Sequence, residues 1–127
     1  MRKLRLPDRT GEMPKLGHQD IKLINDLGMN KIQHQAKKIV SEKLTEAQAD
    51  PKIPAAGNPV YKGMHACRAT SRKELKIAHG IPAEKELSDT NLESVVNLLS
   101  RWIAREYNFY KEESEMKQTN INSFSQD

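Results

Sequence analysis

The sequence predicts a mainly α-helical single domain, with room for one or two short strands around residues 60–68. Three observations carry that prediction. Apolar residues from Leu92 to Tyr107 recur at steps of three and four, the spacing that puts them on one face of a helix. A shorter helix is bracketed by start and stop signals between Ser71 and Pro82. The only stretch that invites a strand, residues 60–68, lacks clear alternation. At 127 residues, 36% apolar and 30% charged, the chain has material for one modest core, and such chains often gain stability by self-association.

Residues 1–17 carry Pro7, Gly11, Pro14 and Gly17 among scattered charges, which predicts a loosely ordered basic arm. The domain proper is expected over 18–110. Its first helix starts near His18 on Ile21, Ile24 and Leu27 and is interrupted at Gly28. A second runs from Asn30 to about Ala47 on Ile32, Ala36, Ile39, Val40 and Leu44, with lysines mainly on its other faces. Pro51, Pro54, Gly57 and Pro59 then make a central loop. Ser71 and Glu74 have the spacing of a capping box, Gly80 suits a left-handed C-terminal position, and Pro82 prevents the helix from resuming. Residues 84–88 are a linker, and Thr90 with Glu93 predicts a second capping box. The last helix carries Leu92, Val95, Val96, Leu99, Trp102, Ile103 and Tyr107 on one stripe. Trp102 is therefore read as core or subunit interface. Residues 111–127 turn polar and read as a frayed tail.

The 72–79 helix breaks a rule of charge. A helix N-terminus carries partial positive charge and favours anionic side chains, yet the first two positions here are Arg72 and Lys73. A bound anion would reverse the sign of that cost. Lys62, Arg68, Arg72, Lys73 and Lys76 face only Glu74 between Tyr61 and His79, a local +4 that equals the net charge of the whole chain. A bounded patch of this kind predicts a bounded anionic ligand. The expected ligand set is Tyr61, His65, Arg68, Thr70, Ser71, Arg72, Lys73, Lys76 and His79, with Arg72 as the main phosphate clamp because its guanidinium can bind two oxygens at once.

Other classes fare less well. A lone cysteine, Cys67, excludes an internal disulfide and suits a reducing compartment. It reads as a small buried residue rather than a nucleophile. The basic start Met1–Arg5 lacks the apolar segment of a signal peptide, and no run is long enough to cross a membrane, so the cytosol (a host's, if the chain is phage-encoded) is the expected location. No cofactor and no metal set is predicted.

From Ile24 onward the chain resembles a widespread family of small bacterial and phage proteins carried as a domain of unknown function. The residues behind the resemblance are Gly28-Met29, Gly57-Asn58-Pro59-Val60, Met64-His65-Ala66, Arg72, Leu75, His79, Ile81, Pro82 and Arg101-Trp102-Ile103. Family members show Gly-His-Pro-Val, Gln-His-Ala and Cys-Cys-Arg-x-Cys-Leu-x-x-Trp-His-x-Ile-Pro at these places. The family cysteines fall on Thr70, Ser71 and Glu74 here, and its tryptophan on Ala78, so a thiolate metal site is not expected in this chain.

The leading expectation is a non-enzymatic binder of a phosphorylated small ligand, a nucleotide and in its sharpest form a cyclic one. By analogy of size and site type, that form is a phage counter-defence sponge that sequesters an immune signal. It would be homo-oligomeric, with Tyr61 or a neighbouring subunit's Tyr107, Phe109 or Tyr110 stacking on the base. One alternative is nucleic-acid binding through the patch and the arm, where Arg2, Lys3, Arg5, Arg9 and Lys15 outnumber Asp8 and Glu12. The other is a phosphoesterase using His65 and His79 as acid and base. Neither histidine is followed at the second position by the Ser or Thr that two-histidine phosphoesterases use.

Overall fold

A computed structural model describes residues 3–125, with side chains as far as Glu115. Among the described residues there are five helices and no strand. They are α1 (His18–Leu27), α2 (Met29–Leu44), α3 (Pro59–Ala66), α4 (Arg72–His79) and α5 (Asp89–Ser125). The core lies where α2 and α3 pack on α5, and α1 leans on α2. Ile32, Ala36, Val40 and Leu44 of α2 meet Val95, Leu99, Trp102 and Ile103 of α5 within one apolar cluster, all fully buried.

The region expected to be extended is instead α3. Asn58 caps it, its side chain accepting from the Val60 amide at 2.8 Å, and Pro59 occupies the first turn, where a missing N–H costs nothing. Gly63 lets this helix approach Trp102 closely: a Cβ built there lies 3.2 Å from the indole ring. These local signals outweigh the weak strand propensity of Val60 and Tyr61.

Ser71 caps α4 as expected, its hydroxyl accepting from the Glu74 amide at 3.1 Å. Gly80 closes the helix in the left-handed region at φ 69°. The last helix begins two residues earlier than its sequence pattern suggests. Ser88 accepts from the Asn91 amide at 3.1 Å, and Glu93, rather than boxing with Thr90, pairs with Lys37 across the α2–α5 groove at 3.1 Å. That helix also does not end at Tyr110. It runs on to Ser125, 37 residues in all, a length of about 55 Å at 1.5 Å per residue.

The arm has no regular secondary structure over residues 3–17, but it is packed, with Leu4 4% and Leu16 7% exposed. Loops 45–49 and 83–87 are tied together by Gln48 N to Ala83 O at 2.9 Å and Leu87 N to Thr45 O at 2.8 Å. The Arg72 amide joins them through Ala49 O at 2.9 Å. No described helix is long and apolar enough to cross a membrane.

Candidate functional site

The charge anomaly at the start of α4 has an internal resolution. Arg72 is 1% exposed, and its guanidinium faces into the protein. Nη1 donates to Leu44 O at 3.2 Å, Thr45 O at 3.0 Å and Glu46 O at 3.0 Å. Nη2 donates to Pro82 O at 2.6 Å and Lys85 O at 2.8 Å. Three of these five carbonyls lie at the C-terminal end of α2, the negative pole of that helix, so the cation misplaced on its own helix is well placed on another. Burial lowers the Arg72 pKa, and the Glu84 carboxylate opposes that shift. Arg72 is therefore not the outward phosphate clamp the sequence suggested. It braces the joint between the end of α2 and the 82–85 loop.

The anion position at the same helix start is also filled from within. Glu74 Oε1 accepts from the Thr70 amide at 2.9 Å and from the Thr70 hydroxyl at 2.5 Å. Ser71, 7% exposed, directs its hydroxyl to the Glu74 amide. Lys62 donates to the buried carboxylate of Asp20 at 2.6 Å, and Lys76 to Glu84 at 2.5 Å. His65 places Nε2 2.8 Å from Ile53 O, and His79 places Nε2 2.7 Å from Cys67 O. A carbonyl only accepts, so both rings carry hydrogen on Nε2. Tyr61 packs half-buried against the core.

Two predicted cations remain outward, Arg68 and Lys73. Both are exposed, and neither makes an ion pair or side-chain hydrogen bond among the described residues. Arg68 has a further peculiarity, a positive φ of 56°. It follows α3 at the position where helices commonly place glycine: Ala69 N reaches Met64 O at 2.8 Å and Arg68 N reaches His65 O at 3.4 Å, the paired bonds of a Schellman motif. An L-residue there costs roughly 1–2 kcal/mol relative to its right-handed form.

The aromatics expected to reach a neighbouring subunit are held at home. Tyr107 donates to Asn25 Oδ1 at 2.5 Å, Tyr110 lies 3.3 Å from His18 Nδ1, and the Arg9 guanidinium stacks 3.9 Å above Phe109. Cys67 is buried, and desolvation pushes its thiol up to about 12, with Arg105 and then Arg101 pulling the other way.

The family assignment follows from the whole span. The profile of a domain of unknown function, DUF4186, matches residues 7–104, from the arm through most of the packed part of α5. The chain belongs to the DUF4186 family. No curated protein and no solved structure matches it. The matched DUF4186 span contains Arg68, Arg72, Lys73 and both capped short helices. Among the described residues, no group of three or more His, Cys, Asp or Glu side chains is placed to hold a metal ion.

Two hollows in this DUF4186 chain lie away from the start of α4. One, about 370 Å3, runs between α2 and α5 and is lined by Asn30, Gln33, His34, Lys37, Glu93 and Val96. The sequence shows Asn30, Gln33, His34 and Lys37 only as the polar face of α2, which gives no sign that a neighbouring helix makes it concave. The other, about 280 Å3, opens over the Asp20–Lys62 pair beside His18 and Gly57.

Proposed function

We propose that this chain binds a phosphorylated small ligand without transforming it, and that Arg68 and Lys73 make the first contact. The observation that carries the reading is Arg68 itself. A glycine would fit its backbone better, and a long cation standing unpaired in solvent does nothing for the fold beyond a weak attraction to the end of α3. Backbone strain that persists beside an unused functional group is a reason to look for a ligand. Two cations flanking the Ala69–Ser71 turn match a phosphate group better than a long duplex, which needs a wider basic track. Self-association belongs to the same proposal: Ile77, one turn from Lys73 on α4, is 70% exposed and offers an apolar contact. In its sharpest form the ligand is a cyclic nucleotide and the protein sequesters it as a signal in phage counter-defence.

The test is thermal unfolding across a panel of mono-, di- and cyclic nucleotides, with short DNA as control, on the wild type and Arg68→Gly. Binding to the native state raises the midpoint by mass action. The glycine variant should unfold at or above the wild-type temperature yet lose the nucleotide shift. A shift that survives Arg68→Gly and Lys73→Ala sinks the proposed site. Recovery of a cleaved nucleotide sinks the non-enzymatic reading, and a salt-steep shift with DNA alone favours nucleic-acid binding instead.

A further inference from the structure

We propose a second anion site on α5, formed by Arg101 and Arg105, over which residues 3–8 of the arm lie as a displaceable strap, with Arg9 left paired to Glu106 at its end. Its ligand is a compact dianion of the phosphate type.

The strap is held by arginine side chains rather than by its own backbone. Arg101 donates from Nη2 to Leu4 O, and Arg105 from Nη1 to Pro7 O at 2.7 Å. Arg9 grips both oxygens of Glu106 from Nε at 3.1 and 3.0 Å, and Arg105 Nε reaches the same carboxylate at 3.1 Å. Arg9 and Arg105 therefore share one carboxylate, itself 4% exposed, while Arg101, one turn before Arg105 on α5, bonds only the Asn97 side chain and Leu4 O, so the three cations stand two positive charges in excess. Arg105 Nη2 is buried without a hydrogen-bond partner. A cavity of about 10 Å3, room for one water, lies against Arg105 and Glu106 under residues 9–15 of the arm.

The strap's carbonyls are neutral stand-ins for a stronger acceptor. Hydrogen bonds from guanidinium to a charged oxygen are roughly twice as strong as those to an uncharged one. A phosphate group would answer both the excess charge and the unpartnered Nη2. Lifting residues 3–8 breaks few main-chain contacts, because the backbone of residues 3–16 makes one turn bond of its own, Met13 N to Thr10 O at 3.3 Å. The main cost of opening is Leu4, 4% exposed in the core cluster, which must leave when the strap lifts. This inference uses neither Arg68 nor Lys73, so it stands or falls separately from the site at the α3–α4 turn.

Hydrogen exchange of the full chain, with and without inorganic phosphate at fixed ionic strength, tests it. Phosphate should speed exchange of the amides in 3–8 several-fold while those of α2 stay protected. The effect should persist in Arg68→Gly/Lys73→Ala. The Arg101→Lys/Arg105→Lys double variant keeps charge but loses the planar fork, and should need about tenfold more phosphate for the same effect. Leu4→Ser, which loosens the strap without touching the arginines, should need less. Unchanged or slowed exchange in the wild type overturns the proposal, as does an equal effect from chloride.

Discussion

Arg72 and Arg68 stand four residues apart and show how differently one side-chain type is used. Arg72 is sealed in and donates to five carbonyls; Arg68 stands in solvent on a backbone that suits glycine. Composition and spacing distinguish neither use, because both residues contribute the same charge to the same basic stretch. The conflict between Arg72 and its helix dipole was legible in the sequence. Its resolution was not, since the answering carbonyls lie about 10 to 28 residues away along the chain. Cys67 was legible as a buried small residue, and its burial has a consequence in pH. The folded thiol titrates near 12 against an ordinary 9.0, so between those values the folded state holds a proton that the unfolded chain releases. Stability must then fall as pH rises through that window, by up to about 1.4 kcal/mol per unit from this group. Urea unfolding at pH 8 and pH 10.5 checks this: Cys67→Ala should be the less stable protein at pH 8, and the gap should close at pH 10.5. A constant gap would mean the thiol ionises freely in the folded protein.

At the scale of elements, the strongly periodic helices and their caps were readable, and the weakly patterned one was not. Ser71 and Gly80 bound α4 where their residue types say they should. The start of α5 is ambiguous in the sequence because Ser88 and Thr90 are equivalent as letters; with Ser88 as the cap, Glu93 lies beyond the capping-box position and pairs with Lys37 instead. α3 was missed because its helical evidence lies in a cap, a proline and a glycine rather than in a stripe. Gly63 there is needed for close approach to Trp102, not for an unusual φ. Gly63→Ala forces a Cβ to within 3.2 Å of the indole, and overpacking of this kind typically costs about 1–3 kcal/mol. Thermal unfolding together with Trp102 fluorescence should report a lower midpoint and a shifted emission maximum. An unchanged midpoint would show that α3 and α5 part easily.

Over the whole molecule, the common device is an arginine that ties irregular backbone to helices. Arg72 serves the 44–46 and 82–85 segments; Arg101 and Arg105 serve the arm. A domain with a single cysteine and no strand among its described residues has few other ways to hold loops, and guanidinium groups supply several donors from one position. This is also why the +4 basic stretch does not act as one surface. Lys62 and Lys76 are paired with carboxylates, Arg72 is internal, and only Arg68 and Lys73 of the five stand in solvent without an ion pair among the described residues. The measurement that tests this account most directly is urea unfolding of Arg72→Lys, alongside the wild type. Lysine keeps the charge but cannot reach two groups of carbonyls at once, so the account predicts a loss of about 3 kcal/mol, with nucleotide response retained wherever the variant is folded. Stability within about 0.5 kcal/mol of wild type, the ordinary range for a surface substitution, together with a lost nucleotide response, would contradict it and return Arg72 to the role of ligand clamp.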